Sequence, residues 1–260
     1  RVLFRSALTT TAVAQLSTSQ VASLTTKQVA ALTTGAVTAL NHATRGLHSI
    51  NIQAQCIKCS LLPHCFNQLW VEAINNRCDY FAMIHGDIVP QGPWFDTLVT
   101  LLKEHDADMV SAIVPLKSYF GLTSTAVAGP GGNCWDNAVR RLTMKEIFEF
   151  DEETFTMPDI LLNTGLWVCR LNKPWNTPGQ DPLFFRQQDR LVMGTDGKLT
   201  SQTVSEDWDF SQRVRERGGK ILATRAVKLF HSDEVFNNYS AWGQWSRDES
   251  SSFFKKPNKE

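Results

Sequence analysis

The chain has 260 residues, enough for one large domain or two modest ones, with 42% hydrophobic and 20% charged residues, the balance of a globular protein. Lys+Arg 26 matches Asp+Glu 26, so the net charge is zero, which argues against a surface field built for nucleic acid or an anionic membrane. No apolar run is long enough to span a bilayer and no charged-then-apolar signal pattern follows Arg1, so no integral membrane segment and a cytoplasmic location are expected.

Residues 8–40 form a repeat of period eight. Leu8, Leu16, Leu24, Leu32 and Leu40 recur with Val13, Val21, Val29 and Val37 between them. An α-helix advances about 100° per residue, so eight residues overshoot two turns by about 80°. A Leu/Val stripe would therefore spiral around a straight helix and could not stay buried. Each LTT or LST supplies a capping Thr or Ser, and Gln20 and Gln28 suit the capping-box position. The expectation for residues 1–45 is an octad-repeat segment, a short helical solenoid or spacer. The repeat contains no His, Cys, Asp or Glu, so acid-base or metal chemistry is not expected there.

Residues 46–260 differ in composition and hold the tryptophans, carboxylates and prolines. Cys56-Ile-Lys-Cys59 with His64-Cys65 has the look of a zinc knuckle or redox pair, but no second ligand pair follows at that spacing. Reduced thiols are the expectation. Cys78 and Cys169 lie in or beside apolar runs as small core residues.

The elements then alternate. "SLLPHCFNQLWVEAINN" has Leu62, Phe66, Leu69, Trp70, Ala73 and Ile74 at helical spacing. "CDYFAMI" is a short buried strand, "WFDTLVTLLKEH" an amphipathic helix and "ADMVSAIVP" another strand. "GLTSTAVAGPGGNCW", residues 121–135, reads as either a flexible lid or an ordinary long loop. "ILLNTGLWVCRL" is a strand, and "EDWDFSQRVRERG" is a helix that Gly218-Gly219 ends. "KILAT" and "AVKLFH" are closing strands. Strand-helix alternation predicts an α/β layer fold with a mostly parallel sheet flanked by helices. In such sheets ligands bind beyond the carboxyl ends of strands.

His85 and Asp87 fall at such an end. One exposed Asp held by a rigid strand, with a distant second ligand, suits a hard divalent cation that keeps waters and substrate phosphates. His231, closing "AVKLFH", is a candidate second ligand, and imidazole suits Mn²⁺ better than Mg²⁺. Glu206 and Asp207 open a helix, where the dipole favours carboxylates and where a general base can face a cleft.

The ordered set "DYFAMIHGDIVP", "NTGLWVCR" and "SEDWDFSQRVRERGGKILATRAVKLFH" resembles glycosyltransferases of the GT-A (Rossmann-like) fold, particularly family-2-like members, over about residues 58–235. The resemblance implies a nucleotide-sugar donor, a glycan or other hydroxyl acceptor, and a divalent metal, Mn²⁺ or Mg²⁺. In that family an Asp-x-Asp motif binds the metal; "HGD" looks like a variant with His85 in the first position and Asp87 in the second. The resemblance assigns Asp87 and His231 to the metal, and Asp207 beside Glu206 to the base of an inverting transfer. It places Ser60, Asn67, His85, Asn163 and Gly165 near the donor. The chain departs from the pattern in two ways: His replaces the leading Asp, and only "HSINIQAQC" stands before the first helix, where the family has a nucleotide-gripping strand. A catalytically incomplete relic that binds nucleotide or carbohydrate is the alternative. A nucleotidyltransferase would want a Gly-rich loop with Lys or Arg before residue 80, and none is present. Trp94, Trp167 and Trp208 sit at helical or strand spacing and read as core, whereas Trp242 and Trp245 in "AWGQW" are surface candidates for sugar stacking.

Overall fold

The computed structural model of the chain describes residues 55, 57, 61–118, 120–176, 182–232 and 238–239. The octad repeat, Cys56, Cys59, Ser60, Trp242 and Trp245 lie outside the described residues.

In chain order, helix α1 (Leu62–Asn75) leads into β1 (Tyr80–Ile84), β2 (Ile88–Pro90) and α2 (Trp94–Glu104). There follow β3 (Met109–Ala112), β4 (Leu122–Val127), β5 (Arg140–Thr143), α3 (Met144–Glu149), β6 (Thr154–Phe155), β7 (Ile160–Leu161) and β8 (Leu166–Arg170). A hairpin of β9 (Gln188–Met193) and β10 (Leu199–Val204) precedes α4 (Glu206–Glu216), and β11 (Ile221–Thr224), β12 (Leu229–Ser232) and β13 (Asn238–Tyr239) complete the order. Helix α1 has Pro in its first turn, where a missing N–H leaves no intrahelical bond unmade. Helix α4 ends where Gly218 adopts φ 84°, a left-handed conformation that costs glycine nothing.

The central sheet has the order β1-β8-β3-β11-β6. Its strands send alternate side chains into two cores, as a period of two dictates. Phe81, Met83, Met109, Trp167, Cys169, Ile221 and Ala223 pack with α1 and α4 through Phe66, Trp70, Phe210 and Val214. Ala82, Ile84, Val110, Ala112, Leu166, Val168 and Leu222 pack with α2 through Trp94, Phe95, Leu98 and Leu102. The first core is aromatic: Phe185 stacks on Phe210 at 4.2 Å between centroids, and Trp70 meets Phe210 edge-on at 5.1 Å. Trp94, Trp167 and Trp208 are buried, as expected of core residues.

The sheet is mixed rather than mostly parallel. β8 inserts antiparallel between β1 and β3, β6 is antiparallel to β11, and only β11 and β3 pair in parallel. A strand buried on both faces reads as a continuous apolar run whichever way it points, so the alternation could not reveal direction. The run "ILLNTGLWVCRL" divides into β7 and β8, in different sheets.

Besides the β9–β10 hairpin, two three-stranded sheets accompany the central one among the described residues. One is β13-β12-β2 and the other β5-β4-β7. The lid reading of residues 121–135 is corrected here: Leu122–Val127 is strand β4, paired with β5 and β7. Thr123 and Thr125 within it are buried, and Thr123 Oγ1 donates to Leu142 O at 2.9 Å. The Thr123 hydroxyl is satisfied by backbone carbonyls, whereas the buried Thr125 hydroxyl has no hydrogen-bond partner.

Cysteine chemistry also differs from the expectation of reduced thiols throughout. Cys65 is disulfide-bonded, whereas Cys78, Cys134 and Cys169 are free and buried. Burial pushes the Cys134 thiol up to about 12, so it is inert as a nucleophile at neutral pH. Among the described residues no helix is long and apolar enough to cross a membrane.

Candidate functional site

Strand β1 ends at Ile84, and a tight turn follows. His85 N–H donates to Gly165 O at 2.9 Å, and Ile88 N–H returns to His85 O at 3.1 Å. Asp87 therefore leaves the sheet on a short, braced turn. Strand β2 resumes at Ile88 and pairs antiparallel with β12, with His231 opposite Ile88 and Leu229 opposite Pro90. That register delivers His231 beside Asp87: Nε2 lies 3.2 Å from Asp87 Oδ2. His231 Nδ1–H donates to Pro115 O at 2.7 Å, which fixes the ring and turns Nε2 toward the carboxylate. Lys117, two residues beyond Pro115, donates from Nζ to the same Oδ2 at 2.6 Å. Burial would raise the Asp87 carboxyl, but the hydrogen bonds and charges of His231 and Lys117 outweigh it and hold Asp87 well below the usual carboxylate range.

His85 faces inward. Its ring packs on Phe66 with centroids 5.2 Å apart, and its Nε2 is buried without a hydrogen-bond partner. Burial lowers its pKa to about 4, with the Asp87 charge opposing that shift, so the imidazole is neutral near pH 7.

The donor set at Asp87 and His231 is one carboxylate and one imidazole whose other nitrogen is anchored by a carbonyl. This fits a divalent cation that completes its shell with water and phosphate oxygens. No third His, Cys, Asp or Glu joins them among the described residues, so the fit is to a two-ligand site, not a closed protein cage.

Glu206 and Asp207 open α4, whose first turn also holds Asp209. Asp207 Oδ1 accepts from Ser205 Oγ at 2.5 Å and from the Trp208 N–H at 2.8 Å. The Arg141 guanidinium lies over the Trp208 ring, 4.6 Å from its centroid, and its charge favours ionised Asp207. Burial nevertheless raises the Asp207 carboxyl. Burial, and then the Asp207 charge, push Glu206 up to about 7. The two acids thus sit in surroundings that keep a proton within reach at neutral pH.

Neighbours of the acids and of the Asp87–His231 pair meet the same strand, β4. Pro115, which anchors His231, bridges to Thr123 at the start of β4. Arg141 Nη1 donates to Thr123 O at 3.4 Å, and Trp208 Nε1 to Ser124 O at 3.1 Å. Among the described residues no hydrogen bond or ion pair joins Asp207 to Asp87 or His231.

The remaining sequence candidates divide differently. Asn67 exchanges both amide bonds with the Phe185 backbone at 2.7 Å, so its polar atoms are occupied by the protein. Asn163 is buried; its Nδ2 donates to Ala112 O at 2.9 Å and its Oδ1 accepts from Gly165 N–H at 3.0 Å. A Cβ on Gly165 would stand 3.3 Å from Asn163 Oδ1 and 3.4 Å from Val114 Cγ2, so glycine allows that close approach. Ser60 lies outside the described residues. A surface groove of about 510 Å³ runs along α1 from His64 to Glu72, and none of Asp87, His231, Glu206 or Asp207 lines it.

Lys117 and Arg141 escaped the sequence reading. A lone Lys in "VPLKSYF" and an Arg in "AVRRLT" carry no spacing signal. The only hint was position: Lys117 follows a strand end, where ligand-binding loops gather.

Comparison with known proteins adds the following. A family model described as the ALTTAQ repeat matches residues 6–34, within the octad segment. No curated protein matches the chain. Among solved structures the chain is similar to A197 from STIV, with 14% identity over 78% of this chain and 83% of that one and a TM-score of 0.45. It is also similar to apo UDP-glucose pyrophosphorylase, with 11% identity over 72% of this chain and 61% of that one and a TM-score of 0.36. Neither likeness is close enough to bear on this chain's chemistry.

Proposed function

We propose that the chain is a glycosyltransferase that moves a sugar from a nucleotide-diphosphate donor to an acceptor hydroxyl, using a divalent cation held by Asp87 and His231. The observation that carries this reading is the meeting of Asp87 and His231 at 3.2 Å, with the imidazole oriented by the Pro115 carbonyl. The cation, when bound, offsets the charge that builds on the leaving diphosphate.

Asp207 is the proposed base. Its carboxylate takes the proton of the acceptor hydroxyl as the acceptor oxygen bonds to the anomeric carbon. The bond from that carbon to the diphosphate oxygen breaks with its electron pair on the diphosphate. Attack opposite the leaving group inverts the anomeric centre. Ser205 and the Trp208 N–H hold the Asp207 carboxylate in one orientation, and Arg141 favours its ionised state.

Isothermal titration with nucleoside diphosphates carrying each common base, with and without Mn²⁺, tests the reading. Mn²⁺-dependent binding that disappears in Asp87→Asn is expected. Failure of every nucleotide to bind sinks it.

A second reading, a nucleotide- or carbohydrate-binding relic without turnover, is favoured by one observation. The Asn67 and Asn163 amides, assigned to the donor by resemblance, are occupied by backbone groups. Binding without sugar transfer or donor hydrolysis would select it.

A further inference from the structure

Two groups converge on one oxygen of Asp87. Lys117 Nζ stands 2.6 Å from Oδ2, and His231 Nε2 stands 3.2 Å from it. A single strap, residues 115–117, arranges both: the Pro115 carbonyl fixes the imidazole and Lys117 supplies the ammonium. The strap is itself braced, because Leu116 N–H donates to Leu122 O at 2.8 Å. Among the described residues Asp87 is the only hydrogen-bond acceptor of Lys117 Nζ.

An ammonium and a divalent ion compete for this oxygen and repel each other beside it. Cation–oxygen bonds to Mg²⁺ are about 2.1 Å long, so an ion on Oδ2 would face the Lys117 charge at close range. For an ion to bridge Oδ2 and His231 Nε2, the ammonium gives up its place on Oδ2. It is free to do so, since the side chains of Lys117 and Asp87 are 35% and 39% exposed and a pair that open to water is weakly held.

We propose that Lys117 is a tethered cation that sits on Asp87 in place of the divalent ion, is displaced when the ion binds, and thereby sets the ion affinity of the site. This rests on the reading of Asp87 and His231 as the cation ligands. Lys117 keeps the carboxylate compensated when no ion is present. The displaced ammonium remains on the strap beside an anionic diphosphate, so ion and donor are expected to favour each other's binding.

The test measures Mn²⁺ alone, by the electron paramagnetic resonance signal of the free ion, on the full chain at low ionic strength. Lys117→Met removes the competitor and should tighten Mn²⁺ binding at least about five-fold. Lys117→Arg keeps a cation and should stay within about two-fold of the parent. Asp87→Asn should abolish binding in the parent and in the Lys117→Met background. Thermal melts of each variant establish that it is folded. If Lys117→Met binds Mn²⁺ no tighter than the parent while Asp87→Asn still abolishes binding, the competition is wrong and the metal site stands. If no variant shows Asp87-dependent binding, both fall.

Discussion

His231 and Asp87 stand 144 positions apart in the chain, yet their side chains meet at 3.2 Å. Antiparallel pairing of β12 with β2 brings them together, since it sets His231 opposite Ile88, the residue after Asp87. The separation of the pair is thus fixed by a strand register, which a one-residue slip would destroy by turning His231 to the other face.

The first prediction concerns that pair. Asp87→Asn and His231→Ala should each remove the Mn²⁺-dependent thermal stabilisation given by a nucleoside diphosphate. At a ligand concentration of 100 times Kd that stabilisation amounts to about 2.7 kcal/mol. Differential scanning fluorimetry, with Mn²⁺ and with chelator, reads the loss. Equal shifts in parent and variants would remove both residues from the site.

Asp207→Asn should lower kcat for sugar transfer by about 10² to 10⁴ with the donor KM unchanged, because the amide cannot take the acceptor proton. Steady-state kinetics at saturating acceptor would show it. A variant with an unchanged kcat would exclude Asp207 as the base.

Glu206 gives a pH dependence whose sign follows from its surroundings. Burial and then the Asp207 charge raise its folded pKa from the ordinary carboxylate value of about 4.5 to about 7. The folded state therefore binds this proton more tightly than the unfolded state. The associated stability is complete below about pH 4.5 and is lost as pH rises to about 7. Glu206→Gln stays neutral, so its melting temperature should fall less than the parent's over that window. Melts from about pH 4 to about pH 8 compare the two; parallel curves would refute the shifted carboxyl.

Asn163→Ala should destabilise the fold without altering nucleotide affinity per folded molecule. It strips a partner from Ala112 O and from the Gly165 N–H, both within the sheet ends. Ala112 O keeps the Ser111 hydroxyl within 3.3 Å, so the main cost is the orphaned Gly165 N–H, about 1–3 kcal/mol. Urea unfolding measures the stability, and titration at low temperature measures the affinity. A folded, fully stable variant with weakened nucleotide binding would restore Asn163 to the donor site.

Much of this arrangement was legible in the chain itself. The apolar run ending at Ile84 and the run ending at His231 were visible as strands, so His85, Asp87 and His231 could be placed at strand ends. The helical period of Phe66, Leu69, Trp70 and Ala73 marked the buried face of α1. Strand direction was not legible, because Leu166, Trp167, Val168 and Cys169 are buried on both faces and leave no alternation to read. Polar residues within apolar runs were read as ligand contacts; Asn67 and Asn163 instead satisfy backbone groups that only the tertiary fold brings near. Lys117 was invisible for the opposite reason. Its partner lies 30 residues earlier, and its meaning depends on a bridge between Pro115 and Thr123 that no local pattern announces.

The pairing of β2 with β12 also has a kinetic consequence. Contacts between segments so distant form only after a large loop has closed, and the entropy of that closure is lost before the contact repays it. The Asp87–His231 pair can therefore form only once residues 229–232 have paired with β2. A nascent chain halted before that strand would possess Asp87 but have no imidazole to set beside it.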